Sequence, residues 1–150
     1  MKLAEALMLR AEQQKKINTL LARIQANLKV EEGDKPQEDP NALLAEACEA
    51  NARLCALVKQ INARNMATML DDGRPLADAL ADRDALKSER DILAAVANKA
   101  VEKDYRLTHT ELKQRVTVPV AKLQKRVDEL SRDYRELDAK IQAANWATDL

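Results

Sequence analysis

Phenylalanine is absent from this sequence, and two tyrosines and one tryptophan are its only aromatics. Glycine occurs twice, histidine once and serine twice, which leaves no glycine-rich phosphate loop, no nucleophile elbow and no Ser-His-Asp set. A di-iron carboxylate bundle needs a Glu-x-x-His from each of two helices, so the single His109 excludes it. An ordinary zinc site fails on the same shortage of ligands. Cys48 and Cys55 are the only thiols, and at seven residues apart on a helix their Cα atoms are about 10 Å apart, too far for an intrachain disulfide. No stretch approaches the 18 apolar residues of a membrane span, and Glu5 and Arg10 interrupt MKLAEALMLR too early for a signal peptide. Charge of either sign is also missing in net, with 25 basic and 25 acidic residues in mixed order. That removes the electrostatic case for nucleic acid or an anionic membrane surface. Two free thiols and no export signal make the cytoplasm the expected compartment.

What remains is rich in Ala, Leu, Glu, Lys, Arg and Gln, the composition of an all-α protein. At 150 residues, a single helical domain covering 1–150 is expected. The first helix is predicted from about Leu3 to Leu28, on Leu3, Leu7, Ile17, Leu20, Leu21, Ile24 and Leu28. An acidic connection, KVEEGDKPQEDP, follows; it is either solvated or a weak divalent-cation loop. Asp39 before Pro40 gives an N-cap and a first-turn proline for the second helix, which runs to about Thr68. Its ladder is Leu43, Ala47, Ala50, Leu54, Leu57 and Ile61.

Gly73 and Pro75 break the chain before a third helix from about Leu76 to Val101, with Leu80, Leu86, Leu93, Val96 and Ala100 turned inward. Next comes an irregular stretch in which Thr108 and Glu111 fit a capping box, and 115–118 reads as extended, able to pair near Lys29 and Val30. A fourth helix begins near Pro119 on Leu123, Val127, Leu130, Tyr134, Leu137 and Ile141. Short connections favour antiparallel neighbours, so the expected fold is an antiparallel four-helix bundle of long helices.

The chain repeats itself. INARNMATML at 61–70 and IQAANWATDL at 141–150 share Ile, Ala, Asn, Ala, Thr and Leu at matching positions. A shift of 80 superposes every rung of the second ladder on the fourth. LAEALMLR at 3–10 matches LADALADR at 76–83 under a shift of 73. The sequence therefore reads as a duplicated helical hairpin, about 1–70 and about 75–150.

In an up-down-up-down arrangement both signatures converge at one end. Arg10, Gln14, Asn65, Thr68, Arg83, Asn145, Trp146 and Thr148 are the candidate site residues there. Two main readings apply to them, beside a contact between subunits of an oligomer. In one, the arginines pair with Asp71, Asp72 or Asp149 while Asn and Thr cap helix ends. In the other, two guanidinium groups with amides and hydroxyls form a pocket for a small anionic ligand, a carboxylate or phosphate. Cys48 and Cys55 read as half-buried packing residues beside the stripe, Tyr134 as core, and Trp146 as a residue that docks onto the bundle or a neighbouring subunit and ties the chain end down. His109 reads as solvent-facing.

Over LAEALMLRAEQQKKI, INARNMATML with LADALADRDAL, and YRELDAKIQAANWATDL, the sequence resembles the septicolysin-like bacterial proteins, a helical family of uncharacterised function. The resemblance spans nearly the whole chain and implies a helical fold in a bacterial setting. It supplies no catalytic or binding residues. The family label refers to a haemolysin, yet mixed-charge helix faces and few aromatics suit neither barrel strands nor membrane-active helices. The sequence therefore points to a non-enzymatic helical assembly protein without cofactors. It is expected to form a homo-oligomer, with no nucleic-acid partner and no stable membrane insertion, because Ala-rich stripes bury limited area within one chain.

Overall fold

The computed structural model of the chain describes residues 1–102 and 113–150. Tyr105, His109 and the Thr108–Glu111 capping box lie outside the described residues. The fold is all-α: α1 (Leu3–Ala26), α2 (Pro40–Ala67), α3 (Leu76–Val101) and α4 (Val120–Ala147). Each helix lies within two residues of its predicted bounds. The start of α2 forms as its sequence dictates, with Asp39 accepting the Asn41 N–H at 2.9 Å and Pro40 in the first turn. The 113–117 stretch is irregular and makes no bridge to residues 29–30 among the described residues. The acidic connection is tied down by Arg23, which pairs with Glu38, and by Asn27, whose side-chain oxygen accepts the Glu38 N–H at 3.1 Å.

Contacts divide the chain into two units. The first is Met1–Leu76 together with Gln142–Leu150, and the second is Ala77–Ile141. The first holds the hairpin α1–α2 and the second the bulk of α3 and α4. In the first unit α1 and α2 pack along their length, with Leu20, Ile24 and Leu43 forming a buried cluster against Ala47. Lys16 and Glu46 bridge the pair at 2.7 Å. In the second unit Arg126 reaches Glu89 at 3.5 Å, Arg83 reaches Asp138 at 2.9 Å, and the Arg90 guanidinium lies 5.7 Å from the Tyr134 ring centre.

Burial repeats with the sequence. Leu3 and its counterpart Leu76 are both fully buried, as are Ala6 and Ala79; Ile61 and Ile141 are buried, as are Leu57 and Leu137. Hydrophobic spacing thus encodes one inward face twice. Some predicted rungs do not turn inward. Leu21, Leu28 and Val96 are exposed, while Ala79 and Ala97 are buried instead. Ala97 takes the inward position beside Val96, Leu20 takes it beside Leu21, and Leu28 lies beyond the end of α1. Cys48 and Cys55 are likewise exposed rather than half-buried. Their heptad spacing keeps them on one face, but that face lies about 100° round the helix from the Leu43–Ile61 ladder.

Candidate functional site

The doubled signatures build two equivalent junctions, both within the first unit. Where α2 ends, Thr68 leaves the helix in an extended conformation and its carbonyl accepts the Leu76 N–H, the first of α3, at 2.7 Å. Leu70 N–H then donates to the Arg74 carbonyl at 2.8 Å. Where α4 ends, Thr148 accepts the Leu3 N–H, the first of α1, at 2.9 Å, and Leu150 N–H donates to Met1 at 2.9 Å. Each helix start has N–H groups with no partner inside the helix, and an incoming carbonyl satisfies one of them. β-Branched threonine suits the extended exit, and the leucine two residues on anchors the strand-like tail. Leu70 is buried and Leu150 half-buried.

One junction is covalent and the other is not. Asp71, Asp72 and Gly73 connect Leu70 to Arg74 through a turn in which Gly73 N–H bonds the Leu70 carbonyl at 2.9 Å. Gly73 takes φ +81°, which other residues rarely adopt. The noncovalent junction instead carries a Lys2–Asp149 ion pair at 2.9 Å, with Lys2 also 3.3 Å from the Ala147 carbonyl. The hydrogen bond from Lys2, followed by its charge, holds the Asp149 carboxyl below its ordinary value. In the covalent junction the same two positions are Pro75 and Met69. This ion pair is what sequence reasoning missed; the substitution of Met69 and Pro75 by opposite charges in the other copy was its signal.

The candidate residues fall as follows. Thr68 and Thr148 serve the junctions through their carbonyls. Asn145 is buried and Asn65 half-buried. No fully shielded side-chain nitrogen or oxygen lacks a partner among the described residues. The Asn145 amide, which bonds no described residue, therefore keeps its polar atoms at the solvent boundary.

Trp146 is 51% exposed within the chain and is not buried against its helices. Backbone bonds and the Lys2–Asp149 pair secure the last residues in its place. Arg10 and Gln14 are exposed, and Arg10 has no ion pair among the described residues.

Arg83 belongs to the second unit, where it pairs with Asp138 and with Asp84 at 3.1 Å, not with Asp71, Asp72 or Asp149. Partial burial works to lower its pKa, and the bonds to Asp138 and Asp84 outweigh that and raise it. A shallow depression near the covalent junction is lined by Gln60, Ala63, Arg64, Ala67 and Leu150, none of them a candidate. Among the described residues no three metal-ligating side chains come together, and no helix is long and apolar enough to cross a membrane.

These features define an all-α protein of four long helices, a hairpin written twice and joined through two matching junctions. The sequence model of a family described only as a family of unknown function (DUF6847) matches residues 10–150, and the chain belongs to that family. No curated protein matches the chain. A solved structure, titled as a functionally unknown conserved protein from Corynebacterium diphtheriae, is similar at a TM-score of 0.94 with 37% identity, covering 100% of this chain and 98% of that one.

Proposed function

We propose that this protein is a non-enzymatic helical assembly protein, acting by packing its helix faces against a protein partner, of which a second copy of the chain is the simplest. The observation that supports this reading is the distribution of exposed apolar side chains. Scattered surface hydrophobics are ordinary, but here they recur on shared helix faces. Leu44 and Met66 share one face of α2, and Ile92 and Val96 lie one turn apart on α3, each at least 41% exposed. Repetition at helical spacing is the pattern of a packing face. The two exposed free thiols favour a reducing, cytoplasmic setting. Light scattering on the eluting protein tests the reading. Association at micromolar concentration is expected, and a strictly monomeric chain that retains no partner would sink it.

A second reading rests on Arg10, whose guanidinium has no ion pair among the described residues while Arg83 has two. In that reading Arg10, with Gln14 one turn on along α1, holds a small carboxylate or phosphate. A thermal shift with phosphate that Arg10→Ala removes would favour it. As for the septicolysin-like resemblance, we propose that it brings no lytic activity here. Dye release from liposomes at micromolar protein would refute that.

A further inference from the structure

The duplication supplies an internal control for the surface. Leu44, Cys48, Ala52, Cys55, Lys59 and Met66 follow one another at steps of four, four, three, four and seven residues, so they form a single stripe along α2. All six are exposed, Leu44 at 52% and Met66 at 60%. Their counterparts on α4, shifted by 80, are Gln124, Asp128, Arg132, Arg135, Ala139 and Trp146, also exposed. Between Leu44 and Cys55 the α2 stripe carries no charge, and the same positions of α4 carry three. Both helices present the same inward ladder, so the fold does not ask for this difference. A helix face that carries the single charge of Lys59 where its counterpart carries three, in a chain that is 33% charged, is shaped for a contact.

We propose, building on the assembly reading above, that this α2 stripe is a self-association surface on which the same stripe of a second copy packs in antiparallel fashion. Charge distribution argues for the second copy and for its direction. The one charge on the stripe, Lys59, lies towards the C-terminal end of α2, and the acid bordering it, Glu49, lies beside Ala45 and Ala52 towards the N-terminal end, in an exposed pair with Arg53 one turn on that contributes little and can be exchanged for an intermolecular one. A two-fold axis across the helix brings Lys59 of one copy towards Glu49 of the other, whereas parallel packing stacks Lys59 on itself. Antiparallel helices also oppose their dipoles favourably. The interface is isologous and closes as a dimer. Ala52 with the two cysteines allows close approach of the backbones, and Leu44 and Met66 fill the two ends.

The test exploits the internal control, because the second hairpin already tolerates arginine at these positions. In reducing buffer, sedimentation equilibrium should give the full chain twice its 16.8 kDa mass. Ala52→Arg with Cys55→Arg, copying Arg132 and Arg135, should leave helicity unchanged and weaken the dimer at least about 100-fold. Arg132→Ala with Arg135→Ala on α4 should leave it intact. A wild-type dimer unaffected by the α2 double variant overturns this inference while sparing the assembly reading; a monomer at every concentration overturns both. Should the α2 variant misfold, alkylation of the wild-type thiols decides, since it should slow as concentration drives dimerisation, and an unchanged rate overturns the proposal. Lys59→Ala should weaken the dimer, and tightening would overturn the antiparallel arrangement.

Discussion

Lys16 on α1 pairs with Glu46 on α2, and at the matching positions of the other hairpin Glu89 on α3 pairs with Arg126 on α4. The bridge has been kept and its charges reversed. Ile17 and Leu54 in the first hairpin answer to Arg90 and Tyr134 in the second, where a guanidinium lies over the ring. Arg10 and Val58 answer to Arg83 and Asp138, so the buried-side ion pair exists in one copy only. What the two hairpins share is the spacing of inward apolar residues and the junction hydrogen bonds. What they do not share is the chemistry around that frame. The frame is therefore set by apolar burial and backbone geometry, while the polar contacts are local solutions that either copy can replace.

If that division holds, the largest effects come from the shared frame. Ile61→Ala and Ile141→Ala should each cost about 2–5 kcal/mol in urea unfolding, by similar amounts, because both side chains are buried at the same place in their hairpin. A near-neutral result at one of the two would break the equivalence. The junctions come next. A circular permutant that opens the chain at Gly73 and joins Leu150 to Met1 through Asp-Asp-Gly exchanges the covalent and noncovalent junctions. It should fold with wild-type helicity and melt within about 5 °C of the parent, since about 1 kcal/mol moves the midpoint by only 2–4 °C at this size. Loss of helicity in the permutant would show that the two junctions are not interchangeable.

The shared frame is also the part that could be read from residues alone. The four helices, their bounds and the doubled hairpin follow from ladders such as Leu43–Ile61 and Leu123–Ile141, because burial needs nothing beyond type and spacing. The candidate site was less legible. Doubled Asn and Thr side chains read as possible ligand groups, but the structure uses the threonine carbonyls, and a backbone role leaves only a faint mark on side-chain identity. Arg10 and Arg83 look equivalent in sequence. Two partners separate them: Asp84 against Ala11, which stands beside the arginine in sequence, and Asp138 against Val58, which lies on another helix where no local pattern reveals it. Within the chain Trp146 misled for a related reason: a large aromatic near a chain end reads as an anchor, whereas the anchor is a pair of backbone bonds with the Lys2–Asp149 ion pair.

A smaller effect is expected where the copies differ. Asp138→Val writes the first hairpin's residue into the second and removes one of the two Arg83 partners. Arg83 is about one-fifth exposed and keeps Asp84, so a loss of about 1 kcal/mol is expected by urea unfolding. Rescue of that loss by Arg83→Ala would confirm that the cost comes from the stranded guanidinium. A loss as large as that of Ile141→Ala would place the ion pair within the frame and contradict the division.

The smallest effects lie in the exposed pairs, and they differ from the frame in their response to pH and salt. Glu46 is held below its ordinary value by the hydrogen bond and charge of Lys16, Glu38 by the hydrogen bond of Arg23, and Asp149 by Lys2. A carboxylate whose pKa is lower folded than unfolded stabilises the fold above its unfolded value, near pH 4. That contribution disappears as pH falls through the lowered folded value. Stability should therefore be flat from about pH 6 to 8 and decline below about pH 4. Charge on these pairs is screened at high ionic strength, so about 1 M salt should shrink the acid-limb difference between wild type and Glu46→Gln. Because Lys16–Glu46 and Glu89–Arg126 are mirror images in charge, exchanging both pairs, with Lys16→Glu, Glu46→Arg, Glu89→Lys and Arg126→Glu together, should restore stability lost by either half-exchange such as Lys16→Glu alone. Failure of the full exchange to recover would mean that the charges are fixed by neighbours outside the pairs, and that the polar layer is not free to vary around the apolar frame.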